Sequence, residues 1–306
     1  MRQPTRQTPA GRAYLDLQTR ARREGRGTQE LLTLYVVERW LARLSASPYA
    51  EDFVLKGGML LAAYDARRPT ADVDALARGL VNDQDAVVAR ISEVAGQAAD
   101  DGVEFLTDTS VARPIREDAF YPGVRVAMNA RIATAVVRFR LDVNFGDPVT
   151  PAPRMIELPS LRPDTAPVRV LGYPIETVLA EKLATAIVLG AANTRVRDYA
   201  DIYTLTGRHD LTHEAVSAAL DATAQFRGVE IVPLSSVVDD LVELRERTYR
   251  VYRTALGVDG TELPTDFGEV VDAVTAFADS SHARLPSCAG MRQAAVGRRR
   301  SQQRSH

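Results

Sequence analysis

Two aspartates, Asp72 and Asp74, lie two residues apart in a short segment where polar and apolar residues alternate. In a β-strand, residues at this spacing point to the same face, so the two carboxylates would lie close together. Carboxylates at such a separation repel each other unless a divalent cation lies between them. Asp142 lies in a later alternating run and could supply a third oxygen ligand from a neighbouring strand. We therefore predict a site for Mg²⁺, with Mn²⁺ as the alternative ion, at Asp72, Asp74 and Asp142.

A glycine pair precedes these aspartates and bears on the same chemistry. Gly57 and Gly58 follow Lys56 and open a short apolar segment that is compatible with a helix. Glycines at the start of a helix allow backbone amides to approach a phosphate, and the positive end of the helix dipole favours an anion there. A solvated strand end is the alternative interpretation of an Asp-x-Asp pair. The glycines upstream and Asp142 downstream favour the metal site.

Lysine is scarce in this chain, because all but two of its 38 basic residues are arginines. A GC-rich genome accounts for the bias, but a lysine ammonium is a compact point charge that an arginine fork does not reproduce. The two lysines, Lys56 and Lys182, are therefore candidates for contacts with phosphate oxygens. A bias without functional meaning is the alternative.

A second polar block follows Lys182. Asp198 and Asp201 are three residues apart and would share one face of a helix, with Arg195 and Arg197 beside them. Lys182 could reach across a cleft to a triphosphate, and Asp198 could orient Lys182 or an acceptor hydroxyl. A salt-bridged surface helix is the alternative for this block taken alone.

The elements that must position these residues change in character along the chain. Residues 28–165 contain strand-like runs at 72–77, 103–106, 123–130 and 135–145 and helix-like runs near 28–45 and 82–99, whereas residues 166–282 contain helix-like runs only. We predict an α+β domain over 28–165 and a helical domain over 166–282 that completes the cleft. The arginine-rich segment 1–27 is predicted to be a mobile or partly helical arm, and the basic segment 283–306 a disordered tail.

Composition excludes several classes of protein. The chain has 306 residues, a net charge of −2 and 45% hydrophobic residues, which is typical of a globular protein. Cys288 is its only cysteine, so neither an intramolecular disulfide nor a cysteine-based zinc site can form. No run of about 18 apolar residues indicates a membrane span, and no secretory signal is evident. We expect a cytoplasmic protein without membrane contact.

These motifs resemble a known family. The order Gly-Gly, Arg-x-Thr-x-Asp-x-Asp and a later strand aspartate resembles nucleotidyltransferases with a polymerase-beta-like palm and a mixed sheet. The segment 53–61 and the block from Glu181 to Tyr203 resemble the AbiEii/AbiGii toxins of type IV toxin–antitoxin systems, which include the MenT toxins. Many nucleotidyltransferases have Gly-Ser in the first motif, whereas this chain has Gly57-Gly58. A serine contact to phosphate is therefore absent here.

The resemblance implies a toxin that transfers a nucleoside monophosphate from an NTP to RNA, most of all to the 3′ end of tRNA, and so blocks translation. It also implies a cognate antitoxin encoded nearby. The residues implied for the site fall into four groups: catalytic Asp72, Asp74, Lys182 and Asp198; metal-binding Asp72, Asp74 and Asp142; nucleotide-binding Lys56, Gly57, Gly58, Arg68, Thr70 and Lys182; and RNA-binding Arg138, Arg140, Arg195 and Arg197.

Two other functions share the same scaffold. The acceptor could be a protein side chain or a small molecule, or the chain could be a non-catalytic RNA-binding module. The complete set Asp72, Asp74 and Asp142 argues against the non-catalytic module. Neither the nucleotide used nor the choice between Asp198 and Asp201 follows from the sequence.

Overall fold

A mixed β-sheet of seven strands forms the centre of the part of the chain that the structure describes. The structure is a computed structural model and describes residues 3–66, 68, 70, 72–115, 123–163 and 165–282. In chain order the strands are β1 Phe53–Lys56, β2 Val73–Ala77, β3 Glu104–Ile115, β4 Gly123–Ile132, β5 Ala135–Phe145, β6 Arg154–Leu158 and β7 Val168–Gly172. Across the sheet they follow the order β3-β4-β5-β2-β1-β7-β6.

Two parallel pairings hold the middle of the sheet together. Strand β2 pairs with β5 and β1 pairs with β7 in parallel, whereas the other neighbours are antiparallel. The strict alternation from Ala135 to Phe145 predicts a strand over that range, and β5 has those bounds. Parallel pairing of β2 with β5 places the first aspartate motif beside Asp142.

Helices cover the sheet and continue beyond it. They are α1 Pro9–Glu24, α2 Thr28–Ser45, α3 Gly57–Leu60, α4 Gln84–Ala95, α5 Ile175–Leu189, α6 Val196–Arg208, α7 His213–Arg227, α8 Leu241–Ala255 and α9 Phe267–His282. Helix α2 packs on the sheet through Trp40, whose ring lies 5.8 Å from Phe53 and 5.7 Å from Phe139, centroid to centroid. The α+β class and the palm sheet are as predicted.

The N-terminal segment differs from the predicted mobile arm. Helix α1 begins after Thr8, whose hydroxyl accepts a hydrogen bond from the amide of Gly11 at 3.1 Å. Ala13, Leu17 and Ala21 recur every four residues and are buried in the core. A narrow apolar stripe is enough to dock a helix when arginines occupy its other faces. Of the two predicted forms, a mobile or a partly helical arm, the structure has the helical one from Pro9 to Glu24.

The predicted domain boundary near residue 165 also differs from the structure. Strand β6 lies inside the proline-rich stretch 147–167, and β7 lies inside the segment predicted to be only helical. Both strands belong to the same sheet as β1, so the sheet continues across the predicted boundary. The predicted tail 283–306 lies outside the described residues. None of the described helices is long and apolar enough to span a bilayer.

Candidate active site

A row of charged residues crosses the sheet on one face. The strand register pairs Lys56 with Asp74, Asp74 with Asp142, and Asp142 with Arg125. Four strands thus contribute one residue each, and the two aspartates lie between the lysine and the arginine. The predicted proximity of Asp142 to the first aspartate motif is what this register produces, and Arg125 is an addition that the sequence interpretation missed.

The carboxylates at this site lie close enough for the negative charge of one to affect the ionisation of another. Burial and then the charge of Asp142, with a smaller contribution from Asp72, raise the pKa of Asp74 to about 6. Two hydrogen bonds from Arg125, at 2.7 and 2.6 Å, hold the carboxylate of Asp142. Arg140 donates to Asp72 at 3.3 Å. Arginine side chains therefore compensate part of the charge on two of the three aspartates.

The donor chemistry fits a divalent cation, although the ligands are not gathered around one point. Among the described residues, no group of three or more acidic, histidine or cysteine side chains forms a ready metal site. Hard carboxylate oxygens are the ligands that Mg²⁺ and Mn²⁺ prefer. The pKa of Asp74 is raised by its burial first and by the negative charge of Asp142 second, and Lys56 and Arg68 oppose that rise. Asp72 and Asp74 are thus suited to hold the ion, with Asp142 adjacent.

Gly57 is required by the closeness of its neighbour Asp74. Its φ is +67°, a region that favours glycine, and a Cβ atom built there would lie 2.0 Å from Oδ2 of Asp74. A Cβ on Gly58 would lie 3.0 Å from Oγ1 of Thr70. The glycine pair therefore lets the start of α3 pack directly against the segment that carries the aspartate motif.

Lys56 is turned into the protein. Its ammonium lies 2.8 Å from Oδ2 of Asp147 and 2.7 Å from Oε1 of Glu181, and 5.1 Å from the centroid of the Tyr173 ring. Burial acts to lower the pKa of Lys56. Its interactions with Glu181, Tyr173 and Asp147 outweigh the effect of burial and raise the pKa well above its ordinary value. Lys56 also borders the pocket that contains Asp72 and Asp74, so its predicted contact with a nucleotide stays a prediction beside these two ion pairs. The geometry favours a positioning role for Lys56, which ties β1 to α5.

The second lysine binds both candidate aspartates. The ammonium of Lys182 lies 2.6 Å from Oδ1 of Asp198 and 2.8 Å from Oδ2 of Asp201. Arg195 donates to Asp198 at 2.5 Å, and Arg68 donates to Asp201 at 3.0 Å. Burial opposes the charge of Asp198, but Lys182 and Arg195 outweigh burial and hold its pKa well below the usual range. Asp198 and Asp201 therefore act together on one lysine.

A cleft of about 270 Å³ joins the acidic row to this lysine cluster. It is lined by most of the predicted site residues: Lys56, Gly57, Gly58, Arg68, Thr70, Asp72, Asp74, Asp142, Lys182, Arg195, Arg197 and Asp198. Arg138 and Arg140 lie outside it, on the adjoining sheet surface. Glu181, Arg125 and Arg227 also line the cleft and were not predicted. The alternation in strand 123–130 could have indicated Arg125, and Glu181 begins the second block that resembles the family. No local pattern singles out Arg227.

Comparison with known proteins agrees with this architecture. The family model of the AbiEii nucleotidyl transferase toxins, type IV toxin–antitoxin system, matches residues 39–273. No curated protein matches the chain.

Two solved structures share the fold at low sequence identity. MenT4, a nucleotidyltransferase toxin from Mycobacterium tuberculosis, superposes with a TM-score of 0.50 at 16% identity, covering 88% of this chain and 98% of its own. JHP933 from Helicobacter pylori gives a TM-score of 0.51 at 15% identity, covering 88% of this chain and 99% of its own. The family match extends from α2 to α9 and includes both walls of the cleft, and the chain therefore belongs to the AbiEii family of nucleotidyltransferase toxins.

Proposed function

We propose that this toxin transfers a nucleoside monophosphate from an NTP to the 3′ hydroxyl of an RNA, and of tRNA above all. A nucleotide added at that end would block aminoacylation and hence translation. The observation that carries the proposal is that one cleft has an acidic wall on the sheet and, opposite it, a wall of helices that carries Lys182. Asp74 and Asp142 lie on the sheet wall, and Lys182 with its aspartates lies on the helical wall.

The two walls suit the two ends of the reaction. In the transfer, the acceptor oxygen bonds to the α-phosphorus, the bond to pyrophosphate breaks, and the hydroxyl loses its proton. In this proposal Asp142, which lies beside Asp74, accepts that proton. A Mg²⁺ or Mn²⁺ ion held by Asp72 and Asp74 would supply positive charge at the α-phosphate.

Lys182 and Arg68 supply charge on the opposite wall. An ammonium has three N–H donors, and Asp198 and Asp201 use two of those on Lys182. The third can bind the leaving pyrophosphate, while the two aspartates fix the direction of the lysine. Positioning and charge neutralisation account for most of the catalysis in phosphoryl chemistry, and this arrangement provides both.

The family also supports a protein partner and a place of action. Members are toxins of a type IV toxin–antitoxin system, so we propose that a cognate antitoxin controls this chain. A tRNA substrate would place its activity in the cytoplasm.

The test is a labelling experiment. Purified protein is incubated with total tRNA, Mg²⁺ and each α-labelled NTP in turn, with the variant Asp72→Ala and excess EDTA as controls. We expect label in tRNA with one preferred nucleotide, and a loss of several orders of magnitude in both controls. Label in protein or in a small molecule would refute the RNA acceptor, and full transfer by Asp72→Ala would refute the role of the aspartate motif.

A further inference from the structure

A second groove opens beside the catalytic cleft on the same face of the sheet. Its volume is about 410 Å³, and its arginines come from three neighbouring strands: Arg113 on β3, Arg125 on β4, and Arg138 and Arg140 on β5. None of the described residues that line this groove carries a carboxylate. We call it the arginine groove.

The arginine groove is continuous with the catalytic row. Arg113 is the register partner of Arg125, which is in turn the partner of Asp142. Since neighbouring strands lie about 4.8 Å apart, Arg113 on the edge strand is about 10 Å from the carboxylate row. Ile115 and Arg125 line both the groove and the cleft. The groove therefore leads from the edge of the sheet to the reacting centre.

The surface of the groove combines charge with apolar area. Val111 is 49% exposed, and its register partner Ala127 on β4 also lines the groove. Arg113 is exposed, and Arg138 is exposed on the neighbouring part of β5. Cations beside exposed apolar side chains suit a strand that carries phosphates on one side and ribose or base on the other.

We propose that the arginine groove binds the phosphate backbone of the acceptor RNA just upstream of its 3′ end, with Arg113 as a phosphate-binding residue beyond the predicted pair Arg138 and Arg140. The proposal rests on the proposed function and specifies the path of its acceptor. The RNA enters over edge strand β3 and ends with its hydroxyl beside Asp142. Binding of this kind is electrostatic and independent of base sequence.

The experiment measures RNA binding without catalysis. A fluorescein-labelled single-stranded oligoribonucleotide is titrated with protein at several salt concentrations, without NTP or metal, and anisotropy gives Kd. The test variant is Arg113→Ala/Arg138→Ala, which leaves the carboxylate partner Arg125 untouched. The matched control is Arg131→Ala/Arg169→Ala, which removes the same charge from two exposed ion pairs with Glu104 and Glu157.

The salt dependence sets the expected size of the effect. Each phosphate contact on a single strand contributes about −0.7 to the slope of log K against log salt, which corresponds to about 5-fold in affinity at 0.1 M salt. We expect Arg113→Ala/Arg138→Ala to weaken binding about 25-fold and to reduce the slope by about 1.4. The control variant should bind within about 2-fold of the unmodified protein, and thermal melts of both variants should match.

Transfer kinetics separate this inference from the proposed function. The groove variant should raise the KM for tRNA and leave the KM for NTP and the kcat at saturating tRNA unchanged. If the unmodified protein is active and the groove variant has unchanged RNA affinity and an unchanged KM for tRNA, the inference about the groove is overturned and the proposed function is not. Absence of any transfer to RNA by the unmodified protein would overturn the proposed function, while the anisotropy would still report whether the groove binds RNA. Loss of antitoxin binding with unchanged RNA binding would assign the groove to a protein and also overturn the inference.

Discussion

Replacing Gly57 by alanine should inactivate the protein without unfolding it. The new Cβ would lie 2.0 Å from Oδ2, 2.6 Å from Cγ and 2.8 Å from Cβ of Asp74. Ordinary contacts of a Cβ atom begin beyond 3 Å, so the carboxylate must move by about 1 Å or more. A displacement of about 1 Å in a reacting group costs on the order of 100-fold in rate.

Gly79 provides a matched control for the cost of the backbone conformation. Its φ is +72°, close to the +67° of Gly57, but a Cβ built on Gly79 meets nothing within 4 Å. Both alanine variants therefore bear the left-handed strain of about 1–2 kcal/mol, and only Gly57→Ala also collides with Asp74. The difference between them isolates the position of the carboxylate.

The assay compares kcat for nucleotide transfer and Tm for the two variants and the unmodified protein. We expect Gly79→Ala to keep nearly full activity with a Tm lowered by a few degrees, at about 2–4 °C per kcal/mol. Gly57→Ala should retain a cooperative melt and lose about 100-fold in kcat. Normal activity in Gly57→Ala, or an equal loss in both variants, would refute the argument that this glycine positions Asp74.

Three further outcomes follow from the site. Lys182→Arg should restore little of the activity that Lys182→Ala loses, because a planar fork cannot reproduce the 2.6 and 2.8 Å contacts of a point ammonium; transfer kinetics and melts of both variants check this. Because the pKa of Asp198 is depressed, its carboxylate should stabilise the fold at pH values above its usual pKa of 3.8, and this contribution should be lost as the pH falls further. The difference in Tm between the unmodified protein and Asp198→Asn should therefore be largest near pH 7 and should narrow below about pH 4. Thr70 lines the cleft and its hydroxyl donates to the backbone oxygen of Asp72 at 3.2 Å, so the charge of Thr70→Glu should abolish transfer while Thr70→Val keeps partial activity. Equal activity in those two variants would leave Thr70 with a structural role only.

The residues that periodicity could bring together were largely foreseeable. The alternation in 135–145 fixes the face on which Asp142 lies, and the three-residue spacing of Asp198 and Asp201 places both on one side of α6. The sequence therefore predicts these aspartates of each wall, but not Arg125, Glu181 or Arg227. It does not predict which side chains pair across the walls, because that depends on how distant segments pack.

Lys56 is the clearest example of this limit. Its partners Asp147 and Glu181 are 91 and 125 residues away, and no spacing rule connects positions so far apart. A lysine beside two glycines favours a phosphate contact on local grounds, and tertiary packing adds two carboxylate partners, the buried Asp147 and the half-buried Glu181. Burial of a cation demands such partners, and only the folded chain identifies them.

Two elements in segments of biased composition, the docked helix α1 and strand β6, were not predicted for a different reason. The density of arginines in 1–27 conceals three apolar residues that are sufficient to dock α1. The prolines in 147–167 suggest a linker, although β6 has only five residues and fits between them at the edge of the sheet. Average composition over a window cannot register an element that depends on so few positions.

The parallel pairing of β7 with β1 has a consequence for synthesis on the ribosome. The backbone oxygen of Leu55 accepts its hydrogen bond from the amide of Tyr173, at 3.0 Å, so the strand that leads into the glycine pair stays half-paired until that later segment has emerged. Lys182 and Asp198 follow later still. At about 5–20 residues per second, translation needs on the order of 10 s to pass from the aspartate motif to Asp198. A nascent chain therefore lacks the second wall of its cleft for that interval, and its site cannot be complete before Asp198 has emerged from the ribosome.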